Sequence, residues 1–269
     1  MFSLFILKEE INMGINLDEL ILDRVRHMTF SDLLDGSIIG RLTSLEDPSL
    51  NTASEGEDVT DAIGSVITTL YRAKTAEFSA NNSLFSLDLA AMQYGTTKQV
   101  ADSVNKIIMP AGETLTVDSN GKITLSHKPV GDLKYIYKLE SGSLSKKINV
   151  GVAVSNEEFS INDKVITVPT GMTGYFYVEY EYETESGVKV SNNTNNFPTS
   201  VGVRIFVIFR DKCNDAIKYA GVIVAKKGKL DPSSVEHALT STGKHPFTVK
   251  FTKDFCDENA DLFSVHVAE

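Results

Sequence analysis

The pattern of apolar and polar positions along this chain is mainly that of β-strands. The clearest example is the segment 175–185, in which apolar residues alternate with glutamates. The inward positions are Phe176, Val178, Tyr180 and Tyr182, and the outward positions are Glu179, Glu181, Glu183 and Glu185. This period of two predicts a strand with one buried face. The acidic face is a candidate functional face, which could be a solvated outer surface, an acidic lumen or an interface.

Similar short segments fill most of the second half of the chain. Strands are predicted at 106–109, 113–117, 122–125, 134–138, 150–154 and 164–168, and again at 203–209, 219–225, 247–251 and 262–267. Asn120–Gly121 lies between two alternating runs and is the strongest hairpin signal in the chain. The polar run 191–196 is the best linker candidate. Short strands at this spacing predict a β-sandwich or barrel and not an α/β enzyme.

A longer strand is predicted at residues 66–80, where both faces mix apolar and charged side chains. A strand of this kind suits a sheet that packs on one side and meets another subunit on the other. The candidate interface residues are Tyr71, Arg72, Lys74 and Glu77. The alternative is an edge strand whose Arg and Lys stems cover apolar surface.

Two helices and one long loop complete the pattern. Leu84, Leu87, Ala91 and Tyr94 recur at helical spacing, and Gly95 follows them, so a short amphipathic helix is predicted there, packed on the sheet. Residues 17–34 show a three-to-four spacing of apolar positions, which predicts a helix or helical arm. The polar residues 46–58 are predicted to be a loop.

Charge and composition limit the possible functions. The 269 residues carry a net charge of −10, and the pI is near 5.1. Such a chain disfavours tight binding to a phosphate backbone, although DNA could slide past it without being held. The apolar run at residues 2–7 is far too short to span a bilayer, so no membrane partner is expected.

No constellation of catalytic residues is present in the sequence. Ser143 and Lys146 match an S-x-x-K spacing, but the other motifs of such a serine enzyme are missing. The five histidines are scattered singly, and the chain has no tryptophan to stack on a sugar. Cys213 and Cys256 are predicted to be free thiols; a bridge between them would link two strands of the C-terminal unit. We therefore expect no enzyme activity, no catalytic residue, no metal and no cofactor.

The order of these pieces resembles the tail-tube proteins of long-tailed phages. The resemblance lies in the strand TTLYRAKTAEFS (68–79), the short helix at 84–94, and a C-terminal sheet containing FRDKC (209–213), AGVIVA (220–225), GKHPF (243–247) and DFC (254–256). It covers residues 36–100 and 198–269. It implies a mainly β chain with a tail-tube-like β-sandwich or barrel and one short flanking helix. That core would comprise 36–120 and 197–269, with an N-terminal arm or helix at 1–35 and an inserted immunoglobulin-like β-sandwich at 121–196, displayed on the outside.

The same resemblance implies a structural function in the virion, after assembly in the host cytoplasm. The subunit would assemble with itself into stacked, hexameric rings that form a conduit for DNA ejection, beside other phage tail proteins. DNA would pass through the lumen without specific binding. Two alternatives remain open, namely another phage structural protein, such as a head decoration or tail terminator subunit, and a β-sandwich module that binds a glycan or a peptide.

Overall fold

A computed structural model describes residues 19–268, except 153, 234, 238, 241–242 and 256–260. The prediction of a mainly β chain with multiple sheets and one helix is confirmed for these residues. They fall into two compact units. Unit 1 takes the residues up to Thr97 and from Val190 onward, and unit 2 takes Lys98–Lys189. The sequence predicted an insertion at 121–196; unit 2 also includes the strand Ile107–Thr116.

The elements follow one another in this order. They are β1 Leu20–Ser31, β2 Ile38–Leu42, β3 Leu45–Thr60, β4 Val66–Asn82, α1 Leu87–Tyr94, β5 Gln99–Val100, β6 Ile107–Thr116, β7 Lys122–Thr124, β8 Tyr135–Glu140, β9 Ser143–Val150, β10 Glu158–Asn162, β11 Val165–Thr167, β12 Tyr175–Thr184, β13 Val188–Lys189, β14 Ser200–Asp211, β15 Lys218–Leu230, β16 His245–Phe251 and β17 Ser264–Ala268.

Unit 1 is built on one antiparallel sheet in the order β2-β1-β14-β15-β16-β4-β3, with β17 paired to β15. Its core consists of large apolar side chains from the inward positions of these strands, among them Phe30, Leu42, Phe78, Ile205, Phe247 and Val249. Burying each such side chain stabilises the fold by about 1.5–3 kcal/mol. The two end strands are separated by only two residues of chain, so the sheet must curl until its ends come close together.

The helix α1 closes the core of unit 1, as the sequence predicted. Ser86 caps it by accepting a hydrogen bond from the Leu89 N–H at 3.2 Å, and Gly95 ends it with φ +66°. Leu89 is fully buried in the core, and Met92 packs over Gly40 of β2. The helix therefore covers the curled sheet with its apolar face.

A buried polar network fixes the helix to β16. His245 Nδ1 accepts a hydrogen bond from the Ser86 N–H at 3.3 Å, and its Nε2 lies 2.7 Å from Gln93 Oε1. Gln93 also donates to the Pro246 carbonyl at 2.9 Å. Since Nδ1 accepts, Nε2 carries the proton, and the imidazole is neutral. Burial first, and the neighbouring His237 second, lower the pKa of His245 to about 4.

The predicted helix at residues 17–34 is wrong, because Leu20–Ser31 is a strand that pairs with β14 and β2. Two bulges, between Leu22 and Arg24 and between Val25 and His27, each insert one extra residue. An extra residue shifts the alternation by one position, so the apolar residues fall at intervals of three and four. The bulged strand thus imitates the spacing of an amphipathic helix.

The predicted loop at residues 46–58 is also wrong, because these residues belong to β3 and pair with β4. The register slips between Glu46 and Ser49, where Asp47 has φ +50° and Pro48 has no N–H to donate. After Leu50, which packs against the core, the strand is exposed on both faces. A strand without a buried face needs no alternation, so its sequence resembles that of a loop.

Unit 2 is built on one sheet in the order β6-β12-β8-β9-β10-β11-β7, and β5 pairs with β13 where the chain enters and leaves the unit. The predicted turn at Asn120–Gly121 forms, but its flanking strands do not make a hairpin. Instead, β6 pairs with β12, and β7 pairs with β11. The turn joins the two ends of a nearly closed sheet, which also contains a parallel pair, β9 and β10. The expected immunoglobulin-like arrangement is not confirmed.

The buried side chain of Tyr180 forms hydrogen bonds between the two ends of this sheet. Its hydroxyl donates a short hydrogen bond to the Glu113 carboxylate on β6 and accepts one from the His127 N–H at 3.1 Å. The Ser126 N–H donates to the same carboxylate at 3.2 Å. Burial, together with the bond to Glu113, raises the pKa of Tyr180 to about 12. The side chain therefore links β12 to both ends of the sheet.

Cys213 is an exposed free thiol. Cys256 lies outside the described residues, so the question of its pairing with Cys213 stays where the sequence left it. Among the residues that the structure describes, no helix is long and apolar enough to cross a membrane.

Replacing Gly95 should destabilise unit 1 strongly. An alanine there would adopt a left-handed conformation that costs about 1–2 kcal/mol, and its Cβ would also overlap the Phe197 carbonyl. Gly36→Ala is the control, because Gly36 has φ +74° and open space around it. In urea unfolding we expect Gly95→Ala to lose at least about 1 kcal/mol more than the control. Equal losses would contradict the packing of Gly95 on Phe197.

The stability of the protein should fall as the pH drops from about 6.5 towards 4. The folded-state pKa of His245 is about 4, below the unfolded value of 6.5, so protons bind the unfolded chain more readily. The contribution present at neutral pH is about 3 kcal/mol, and it is lost in this window. Urea unfolding of His245→Gln should show a shallower loss with pH, and the exposed His127→Gln should behave like wild type. A parallel pH profile for His245→Gln would refute this account.

Candidate assembly surface

A long β-ribbon extends beyond the sheet of unit 1. From residue 76 to 82, β4 lies between β16 and β3, and Ala76, Phe78 and Ala80 point into the core. From Thr75 outward, β4 pairs with β3 alone. We call residues 53–75 the ribbon. All of its residues are exposed except Asp61 and Thr69, which are half-buried, so the ribbon has solvent on both faces.

The tip of the ribbon is a defined turn. The Asp61 N–H donates to the Ser65 carbonyl at 2.9 Å, and the Asp61 carboxylate accepts from the N–H groups of Ile63 and Ser65 at 3.0 and 2.8 Å. Gly64 supplies the positive φ of +87° that this turn requires. These bonds satisfy the backbone locally and hold Ile63 at the end of the ribbon.

A bulge twists the ribbon near its middle. Ala53 pairs with Thr75 and Glu55 pairs with Arg72, so β4 has one more residue than β3 between these pairs. Ala73 takes φ +50°, a left-handed conformation that a non-glycine residue seldom adopts. Such a bulge increases the local twist and turns the outer half of the ribbon relative to the sheet.

The four predicted interface residues divide between the ribbon and its base. Tyr71, Arg72 and Lys74 lie on the ribbon and are exposed, whereas Glu77 lies inside the sheet, opposite Asn51 on one side and Lys250 on the other. Tyr71 is 73% exposed and rests against Gly56 of β3. Arg72 Nη2 is 3.4 Å from Glu57 Oε2, with both side chains 68% exposed. The structure thus brings three of the four together.

Sequence reasoning missed the apolar part of the ribbon. Exposed apolar side chains here are Val59, Ile63, Val66, Ile67 and Leu70. Ile63 at the tip is 88% exposed. Their signal in the sequence is Ile63 directly before Gly64 and the apolar pair Val66 and Ile67 shortly after it. Several exposed apolar side chains within one short ribbon mark a candidate interaction site.

The ribbon also carries an unpaired edge. Among the described residues, no strand pairs with the other side of β3, so its outward N–H and C=O groups are open along the ribbon. A long open edge invites another chain to pair with it. Glu55, Glu57 and Asp58 place negative charge along this edge, which limits unspecific pairing.

The predicted acidic face lies on β12 in unit 2. Glu179, Glu181 and Glu183 are exposed and lie opposite Gly112, Pro110 and Ile108 of β6. Glu185, just beyond the strand, forms an ion pair with Lys106 at 3.0 Å. The other three carboxylates have no cation within 4 Å among the described residues. Within the same residues, no group of three or more His, Cys, Asp or Glu side chains is placed to hold a metal ion.

Comparison with known proteins places this architecture in a family. The model of the YomU/Tube protein family matches residues 20–261, which is most of the chain, including the ribbon and both units. A search of curated proteins gave no match. A phage tube family points to a structural component of the virion, the class of function that the sequence predicted. The chain therefore belongs to the YomU/Tube protein family, and the tail-tube resemblance seen in its sequence is confirmed.

Proposed function

We propose that this protein is the repeating subunit of a phage tail tube and that the ribbon is its contact with the next copy. The observation that carries the proposal is a ribbon of 23 residues without a core of its own, bearing exposed apolar side chains and an open edge. An isolated two-stranded hairpin is marginally stable in water. The ribbon gains a buried face only when another molecule covers it.

The shape of this contact favours a polymer. The ribbon is a projecting element, and in this proposal the surface that receives it on the next copy differs from the ribbon itself. A contact between two different surfaces of identical subunits is head-to-tail, and it repeats to give closed rings or open filaments. A tube of stacked rings, which the resemblance implies to be hexameric, needs two such contacts. One closes each ring, and the other joins one ring to the next.

Burial of the ribbon supplies enough free energy for such a contact. Fully burying one large apolar side chain contributes about 1.5–3 kcal/mol, and five exposed apolar side chains are available. The gain is reduced by the cost of ordering the ribbon and of fixing two subunits together. Because every copy makes the contact twice, once as donor and once as acceptor, modest free energy per contact still stabilises a long assembly.

The charge of the chain suits a conduit for DNA. Each Lys or Arg that neutralises a phosphate releases counterions and holds the DNA in place. A net charge of −10 per copy makes the tube repel the DNA phosphates instead of holding them. DNA would pass during ejection without specific binding, and the tube would join other phage tail proteins at its ends. The acidic face of unit 2 is a candidate for part of this negative surface.

A charge at the tip of the ribbon should block assembly without unfolding the subunit. In Ile63→Asp a charged group would have to be buried in the contact, whereas in the free subunit it is solvated. We expect at least a tenfold higher protein concentration for assembly, measured by sedimentation velocity and negative-stain microscopy. The control is Leu34→Asp, since Leu34 is 96% exposed on another turn of unit 1. Equal assembly of Ile63→Asp and wild type would remove the ribbon from the proposal.

Arg72 separates a role in assembly from a role in the fold. Its ion pair with Glu57 is exposed, so Arg72→Ala should change the free energy of unfolding by less than about 0.5 kcal/mol. If Arg72 contacts the next copy, the same variant should weaken assembly severalfold. The matched control is Lys128→Ala in unit 2, which removes an ion pair with Asp163 of similar exposure. Identical assembly of the two variants would show that Arg72 does not contribute.

A further inference from the structure

The outer face of unit 2 carries a group of tyrosines on two central strands. In the register of the sheet, Tyr177 of β12 lies opposite Tyr137 of β8, and Tyr137 lies opposite Lys147 of β9. Tyr175 and Tyr135 lie next to this row and are 59% and 42% exposed. The Tyr135 ring stands edge-on to Tyr137 with centroids 5.7 Å apart, and Lys147 Nζ is 4.3 Å from the centre of Tyr135.

Gly112 on the neighbouring strand β6 leaves room for the ring of Tyr177. Tyr177 leans over Gly112 of β6, where a Cβ atom would be 2.5 Å from the Tyr177 hydroxyl and 3.2 Å from its Cζ. Any other residue at Gly112 would push the ring off the sheet. The hydroxyl end of the half-buried Tyr177 ring therefore lies over β6.

A cleft opens beside these tyrosines. The β8–β12 pairing covers only Tyr175–Tyr177, and the Val130 N–H then donates to the Glu181 carbonyl at 2.7 Å. Between the Tyr177 pairing and the Val130 hydrogen bond, the segment that leads into β8 separates from β12, and a cleft of about 310 Å³ lies between them. Tyr135, Asp132, Lys134, Glu179 and Glu181 are among its lining residues. We call this cleft with Tyr137, Tyr175 and Tyr177 the tyrosine surface.

We propose that the tyrosine surface binds a glycan chain of neutral or amine-bearing sugars. The apolar C–H face of a sugar ring packs on an aromatic ring, and Tyr135 and Tyr175 offer exposed rings beside the half-buried Tyr177. The carboxylates of Glu179 and Glu181 accept hydrogen bonds from sugar hydroxyls and make stronger, charge-assisted bonds to sugar amines. The tyrosines take the place of the tryptophan that the chain lacks.

Charge selects among the possible ligands. Three carboxylates, from Asp132, Glu179 and Glu181, line the cleft, against the ammonium groups of Lys134 in the lining and of Lys147 over the Tyr135 ring. A negative excess repels anionic glycans and nucleic acid and attracts amines. A peptide that adds as a strand would find no open edge at Tyr175–Tyr177, where β12 is paired with β8. Beyond Tyr177 that edge of β12 lies along the cleft, and a peptide bound there would pair with the backbone and would not need the tyrosine rings.

This inference is independent of tube formation, since every residue in it belongs to unit 2 and none belongs to the ribbon. A tube whose subunits bind sugar chains could contact a glycan-covered surface. A subunit that fails to polymerise would bind the same glycan.

The test is calorimetric titration of the full chain with three oligosaccharides. They are a glucosamine pentamer, a neutral glucose pentamer and an anionic galacturonate pentamer. We expect binding of the first two, tightest for glucosamine, and at least tenfold weaker binding of galacturonate. Tyr135→Ala and Tyr177→Ala should each lower the affinity at least fivefold, Tyr135→Phe should retain it, and Glu179→Gln combined with Glu181→Gln should weaken glucosamine more than glucose.

The control variant is Tyr71→Ala, which removes an exposed tyrosine from the ribbon and should leave glycan affinity unchanged. Unchanged thermal midpoints would show that the unit 2 variants are folded. The proposal is overturned if millimolar glucosamine and glucose oligomers do not bind the folded wild-type chain. It is equally overturned if galacturonate binds as tightly, or if Tyr71→Ala weakens binding as much as Tyr135→Ala.

Discussion

The pairing of β4 is the constraint on which the rest of this structure depends. One end of the strand is held between β16 and β3 and buries Ala76, Phe78 and Ala80 in the core of unit 1. The other end has β3 as its sole neighbour and solvent on both faces. A single strand thus belongs both to the packed sheet of unit 1 and to the projecting ribbon. The ladder between β3 and β4 continues through two bulges, at Ala53–Glu55 and Val59–Thr60, to the tip of the ribbon.

The remaining features fit a protein that acts through surfaces. The core of unit 1 is closed by α1 and by the buried contacts of Gln93 and His245, which hold the helix on the sheet. Unit 2 closes its own sheet through Tyr180 and Glu113 and directs its tyrosines and glutamates outward. Each unit therefore has its own packed core and exposes a different kind of surface. Unit 1 exposes the ribbon with its apolar side chains, and unit 2 exposes tyrosine rings beside carboxylates.

The sequence predicted those elements whose burial leaves a periodic trace. Strand β12, the helix α1 with its Gly95 terminus, and the strands β14, β15 and β16 all have one face in a core, so their patterns were recognisable. It failed where a bulge shifts the period, as in β1, and where no face is buried, as in β3. The sequence did not predict the tyrosine surface, for a third reason. Its residues come from β8 and β12, and only the register of the sheet brings Tyr137 beside Tyr177.

Electron microscopy of the purified wild-type protein over a range of concentrations tests the central claim most directly. The account predicts hollow filaments of constant diameter that lengthen with concentration, with density for residues 53–75 of each copy resting on the neighbouring copy. Compact single subunits at every concentration, with the ribbon free in solution, would contradict it.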